Sequence, residues 1–271
     1  MKKINILVSL TCLSLAMYGC GANQKQDNKS SDLENAYFDE LNAAAKKNSE
    51  RKNLRVDAYY PEYEDIDCSN GKKEIVKYSA TRTISDYDFA NNRSITYLYA
   101  SHNASDESND KEGFVIASDN GKVIQHSFTE TNGVRTLSTH SEEPMMAMNP
   151  MSIHDFEGVI TDKDRSLYTV TRKSNKDTYV YTMTMKDPDK LKVSYQKHYE
   201  DQGLDYLEWN SCSLHSREEK DLKLVYHVNK EGILTQTDTH TVQLLDDYKR
   251  TADYTVTYSS YDKLNEKAFK D

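Results

Sequence analysis

Residues 114–128, FVIASDNGKVIQHSF, carry two β-rich runs on either side of Asn120-Gly121. Asn-Gly between such runs is the strongest short hairpin signal, because both residues tolerate the positive φ of a two-residue turn. The same signal recurs at Asn132-Gly133 before VRTLSTH, and Lys230-Glu231-Gly232 supplies another turn. Period-two alternation then extends outward along the chain. Ile95, Tyr97 and Tyr99 alternate with Thr96 and Leu98, and Tyr179, Tyr181, Met183 and Met185 with Val180, Thr182 and Thr184. Leu222, Leu224, Tyr226 and Val228 follow the same rule, as do Tyr254, Val256 and Tyr258. Alternation at this period marks half-buried strands. Roughly eleven to thirteen strands joined by short turns require antiparallel pairing, since parallel strands need long crossovers. The expected fold is mostly β (α+β): a strongly curved antiparallel meander, or half-barrel, in two runs over 54–140 and 166–259.

Two helical elements interrupt this pattern. Ser31-Asp32-Leu33-Glu34 reads as a capping box that opens an N-terminal helix. Leu33, Tyr37, Leu41, Ala44 and Ala45 fall on one face of it, with Ala36 and Phe38 at the border and Lys46 and Lys47 at the negative end of its dipole. The second element is a short Met-rich helical insert over 142–160, with Pro144, Pro150, Met145, Met146, Met148 and Met151.

The first thirty residues give the expected location. Lys2 and Lys3 precede a mostly apolar stretch to Met17, then Tyr18-Gly19-Cys20 and a polar run from Asn23 to Ser31. This resembles the lipobox of bacterial lipoproteins, in which the cysteine becomes the lipidated N-terminus. The resemblance implies a signal peptide over 1–19, a membrane anchor on acylated Cys20 (palmitate or a similar chain), a flexible tether over 20–30 and a single β-rich domain over 31–271. The domain would be held on the cell membrane, facing outside the cytoplasm, either on a Gram-positive surface or on the periplasmic side. The chain carries 35 Lys and Arg against 44 Asp and Glu; loss of Lys2 and Lys3 leaves 33 against 44, a formal net charge of −11. That balance disfavours nucleic acid and anionic lipid surfaces as partners.

With Cys12 removed and Cys20 acylated, Cys68 and Cys212 remain as a candidate disulfide in an oxidising compartment. It would close a loop of about 144 residues, worth roughly 4–5 kcal/mol in the chain-entropy model; two unpaired thiols are the alternative.

A lipid-anchored N-terminus, one leading helix, a long meander, a helical insert and a second meander resemble the lipoprotein-carrier fold. That family includes the LolA/LolB lipoprotein chaperones, the LppX-like lipoproteins and uncharacterised lipoproteins of Gram-positive bacteria. The resemblance covers Ser31 to Asp271 and rests on element order, with no shared motif. It implies a half-barrel whose apolar concave face takes an acyl chain.

Catalytic patterns are sparse. Ser69-Asn70-Gly71-Lys72 fits Ser-x-x-Lys, but Ser49-Glu50-Arg51-Lys52 and Ser260-Tyr261-Asp262-Lys263 fit it too, and no Lys-Thr-Gly accompanies them. There is no Gly-x-Ser-x-Gly, no His-Glu-x-x-His and no phosphate-binding glycine loop. A two-residue turn at Asn132-Gly133 sets His126 opposite Thr139 and His140 opposite Gln125, on opposite faces, which leaves no metal site. The acidic groups Glu62, Glu64, Asp65 and Asp67, and Asp106, Glu107 and Asp110, read as solvated loops without calcium-loop spacing.

The expected function is therefore that of a non-enzymatic, lipid-anchored binding protein without a cofactor. It would hold a hydrophobic ligand or sense envelope state in a half-barrel cavity. Met145, Met146, Met148, Met151 and Trp209 are the candidate ligand-facing residues, because thioethers and large rings suit irregular apolar contacts. The alternative is a surface interaction or structural lipoprotein with a filled core and an envelope protein partner.

Overall fold

The structure is a computed structural model, and it describes residues 28–67, 74–100, 110–120, 122–140, 164–190, 217–245 and 248–270. Cys20, Cys68, Cys212, Met145, Met146, Met148, Met151, Trp209, residues 1–27 and the expected 142–160 insert lie outside the described residues. The elements run α1 (Asn28–Ser49), β1 (Asn53–Tyr60), β2 (Tyr63–Asp67), β3 (Glu74–Tyr78), β4 (Thr81–Asp88), β5 (Arg93–Tyr99), β6 (Asp110–Asp119), β7 (Lys122–Thr131) and β8 (Val134–His140). They continue with β9 (Tyr168–Ser174), β10 (Thr178–Met185), β11 (Arg217–Asn229), β12 (Leu234–Leu245) and β13 (Tyr248–Ser259).

The fold is mostly β, one curved antiparallel sheet that does not close into a barrel. Its eleven strands lie in the order β8-β7-β6-β5-β4-β1-β13-β12-β11-β10-β9, and β2 and β3 form a separate hairpin. The Asn-Gly signals act as read. Asp119 pairs with Lys122 around Asn120, and Thr131 with Val134 around Asn132-Gly133. Asn120, Asn132 and Gly133 have φ of 49°, 52° and 78°, the left-handed values a type I′ turn requires.

Topology sets the two meanders side by side. The first runs outward from β4 to β8, the second inward from β9 to β13. β1 lies between them, pairing with β4 through Leu54–Tyr87 and Val56–Ser85 and with β13 through Val56–Tyr258 and Ala58–Val256. The edges of the sheet are β8 and β9, so the chain passes from one edge to the other between His140 and Asp164.

The two wings bury opposite faces. On one face, here the helix face, Leu222, Leu224, Tyr226, Tyr181, Met183 and Val170 form a core with Phe38, Leu41 and Ala44 of α1. This core continues through Tyr258 into Leu54, Val56, Ala58, Tyr87 and Val256 at the centre. Register places Ile84, Ile95, Tyr97, Val115, Ala117 and Phe128 on the other face, where Tyr261, Leu264 and Ala268 of the C-terminal segment cover them. That is the tail face. β4 is the crossing point: Thr83, Ile84, Ser85, Asp86 and Tyr87 are all buried, so both of its faces are covered. Where the tail face passes beneath β1 it is charged. Arg55 grips Asp86 with two hydrogen bonds of 2.6 and 2.8 Å, and Arg82 grips Asp57 with two of 2.9 and 2.7 Å. Such paired bonds match the planar guanidinium to a carboxylate.

The helix departs from expectation at two points. It begins at Asn28, so Ser31 sits inside its first turns and does not cap it. Glu34 reaches Lys186 instead, at 3.4 Å. The buried stripe is Phe38, Leu41, Ala44, Ala45 and Asn48, while Leu33 is 53% exposed. The stripe is rotated towards Phe38, which packs with Leu41 and Ala44 on the β9–β12 core, and Tyr37 meets the Tyr181 ring edge-on.

Ion pairs decorate this contact: Arg172 donates to Glu40 at 2.7 Å, Arg165 to Asp39 at 2.5 Å, and the Tyr181 hydroxyl to Glu40 at 2.6 Å. Exposed pairs contribute about 0–1 kcal/mol each, whereas burying a Phe or Leu side chain contributes about 1.5–3 kcal/mol. Packing therefore docks the helix and the ions orient it. Replacing Phe38 by Ala should cost about 3–5 kcal/mol in urea unfolding, and Glu40→Gln less than about 1 kcal/mol.

Gly113 admits no side chain. A Cβ there would lie 2.0 Å from the Leu98 carbonyl oxygen and 3.0 Å from the Phe128 ring. Gly113→Ala should cost about 2–3 kcal/mol in the same assay, whereas Ala at exposed Lys122 should be nearly neutral.

Candidate functional site

Two surfaces of the sheet carry functional potential. The first is an open groove of about 410 Å³ on the tail face of β1 and β11–β13, walled by Tyr59, Lys223, Asp238, His240, Asp253 and Thr255. Alternation places these residues together. Val225 pairs with Asp238 and Asp238 with Thr255, while Lys223 pairs with His240 and His240 with Asp253. By area the lining is mainly apolar, as is usual for small-molecule pockets, with the Asp238 and Asp253 carboxylates and the His240 ring set within it.

Two His–Asp couples lie in and beside the groove. His227 Nε2 is 2.9 Å from Asp238 Oδ2, and His240 Nδ1 is 2.7 Å from Asp253 Oδ1. Asp238 Oδ1 also accepts from Gln236 Nε2 and Thr255 Oγ1, each at 2.8 Å. Burial alone would raise the Asp238 pKa, but bonds from Thr255, Gln236 and His227 outweigh it and hold the carboxyl below its ordinary value. With its oxygens already engaged, Asp238 acts as a structural acceptor. Among the described residues no group of three or more His, Cys, Asp or Glu converges on a point where a metal ion could sit.

The second surface is the helix face of β5–β7. Leu98 pairs with Phe114, Ile116 with Gln125, and Val123 with Ser118. Leu98, Phe114, Ile116 and Val123 are half-buried, and Ser94, Ser118 and Gln125 among them are buried. A sheet with one solvated face alternates cleanly between apolar and polar. Here both faces of the wing carry apolar side chains, and the C-terminal segment fills only one. The near-continuous run FVIA at 114–117 is the sequence signal for this.

A polar cluster closes the tail-face core at β8. Arg135 donates to Glu130 at 2.5 Å and to the Tyr99 hydroxyl, and its guanidinium lies 4.1 Å from the Tyr97 ring centroid. Burial, with Glu130 nearby, pushes the Tyr99 phenol up to about 12 despite Arg135. At neutral pH this phenol is a neutral member of a satisfied network, with no sign of an activated acid or base.

The His126 and His140 expectation requires correction. The turn has two residues, as read, but a bulge between His126 and Phe128 shifts the register, so His126 pairs with His140 and not with Thr139. An extra residue in one strand reverses facing beyond it, which turn spacing alone does not reveal. His126 is 8% exposed and sits beside Val115 on the tail face.

No protein-family model matches the sequence, and no curated protein matches it. Among solved structures, the chain is similar to a DUF1329 family protein from Desulfovibrio piger at 11% identity, covering 88% of this chain and 97% of that one, with a TM-score of 0.26. It is also similar to the ywiB protein of Bacillus subtilis at 8% identity, covering 80% of this chain and 99% of that one, with a TM-score of 0.17. Neither likeness bears on function.

The Asp238 carboxyl gives a pH test. Its folded pKa is lowered, so its contribution to stability is complete above the unfolded carboxylate value of about 3.9 and is lost as pH falls through the folded value. Between neutral pH and pH 3, Asp238→Asn should lose less stability than the unmodified protein, as read from urea midpoints.

Proposed function

We propose that this is a lipid-anchored extracytoplasmic binding protein without catalytic activity, and that the helix face of the β5–β7 wing receives an apolar ligand such as an acyl chain. The observation that carries this reading is the doubly apolar wing. Its tail face is filled by Tyr261, Leu264 and Ala268, while Leu98, Phe114, Ile116 and Val123 on the other face stay half-buried. Fully burying one such side chain contributes about 1.5–3 kcal/mol, so several together provide the driving force to hold a chain of methylenes. The buried Ser94, Ser118 and Gln125 alongside supply polar groups that orient a headgroup or ester. The anchor rests on Tyr18-Gly19-Cys20, which would hold the protein at the membrane from which such a ligand comes.

The test is direct. The chain from residue 21 onward is purified without detergent and extracted for lipid mass spectrometry. We expect stoichiometric lipid, reduced several-fold in Ile116→Asp while the β-sheet circular dichroism is unchanged. Well-folded protein that carries no lipid, and takes none from added membrane extract, would sink this reading and favour a protein partner.

A further inference from the structure

We propose that the tail-face groove over β1 and β11–β13 binds a free α-amino acid with an apolar side chain. It holds the ammonium at Asp253, the carboxylate at Lys223 and the side chain against Tyr59, Pro61 and Val225. This site is separate from the apolar strip on the helix face of β5–β7, and neither reading depends on the other.

Strand register builds the site. Lys223 pairs with His240 and His240 with Asp253, so the three form one cross-strand row. The next row holds Val225, Asp238, Thr255 and Tyr59, through the pairs Val225–Asp238, Asp238–Thr255 and Thr255–Tyr59. All seven wall the groove, and Pro61 joins them just past the end of β1. Residues opposite one another in a sheet present their side chains to the same face. The first row therefore carries a cation at one end and an anion at the other. The second row has Tyr59 and Val225 at its ends.

The charges at the two ends are open to a ligand. Lys223 is exposed, and among the described residues no carboxylate pairs with its ammonium. At the other end the Asp253 side chain is 64% exposed and holds His240 Nδ1 through Oδ1 at 2.7 Å, which leaves Oδ2 for a second donor. The same bond fixes the His240 ring between the two poles. Asp238 differs: it already accepts from Thr255, Gln236 and His227, so it shapes the groove and is not a pole of it.

Spacing selects the ligand. Neighbouring strands lie about 4.8 Å apart, so side chains standing perpendicular to the sheet put the two poles about 9.6 Å apart. A charge-assisted hydrogen bond at each pole takes up about 2.8 Å, which leaves about 4 Å between the ligand's own ammonium and carboxylate. One α-amino acid meets that separation. An extended tripeptide does not, because its first and last α-carbons alone are about 7 Å apart. An ion of single sign would leave one pole unmatched. It would also leave the apolar part of the lining in water, whereas a leucine or phenylalanine side chain covers it.

The experiment is calorimetric titration of the full-length protein with L-leucine and L-phenylalanine, each compared with its N-acetyl and its amide derivative. We expect one-to-one binding of the free amino acids, weakened about tenfold when either charge is blocked. Lys223→Met should bring the free amino acid down to the level of the amide and leave the amide unaffected. Asp253→Asn should do the same with respect to the N-acetyl form. Both positions are exposed, so both variants should keep the β-sheet circular dichroism of the unmodified protein. The blocked ligands carry the test on the unmodified protein in any case. Absence of binding by both amino acids would overturn the proposal, as would binding that the blocking groups and the two substitutions leave unchanged.

Discussion

The pairing of β1 with β4 on one side and β13 on the other is the constraint on which the rest of the sheet depends. Each meander is built from local hairpins and could form its own ladder. Only β1 joins the two, because it is the sole strand between β4 and β13. It does so with Leu54, Val56 and Ala58 buried on the helix face and Arg55 and Asp57 held by Asp86 and Arg82 on the tail face. Leaving the buried Asp86 carboxylate without Arg55 would cost more than an exposed ion pair contributes, because a desolvated charge needs its partner.

The change of buried face follows from this junction. At β1 the apolar residues lie on the helix face; at β5, two strands away, Ile95 and Tyr97 lie on the tail face. Strand β4 permits the exchange because its helix-face residues Thr83 and Ser85 are small and polar, and Ser85 is bonded to Thr96 at 3.0 Å. The protein therefore needs two covers. Helix α1 covers one wing and the C-terminal segment the other, on opposite sides of the same sheet. A sheet with one core would need a single cover and would leave its other face uniformly polar. This one leaves an open groove at the centre of the tail face and a half-buried apolar strip on the helix face of β5–β7.

Much of the fold was legible because its signals are local. Asn120-Gly121 and Asn132-Gly133 dictate turns through backbone φ, and the alternation at 179–185 and 222–228 dictates which side chains share a face. The helix face was half-legible: Leu41, Ala44 and Ala45 were read as contacts and are buried, but Leu33, placed in the same stripe, is exposed. The His126–His140 pairing was not legible, since a bulge shifts register without a distinctive residue pattern.

The sequence by itself determined the antiparallel class, the hairpins and which residues of a strand share a face, because turn chemistry and period-two alternation act over a few residues. Tertiary structure alone decided that β1 lies between the meanders, that the edges are β8 and β9, and that the wings bury opposite faces. These depend on pairings such as Val56 with Tyr258, some two hundred residues apart. No local pattern encodes them, since alternation specifies two faces for each strand without saying which face its distant neighbour will share.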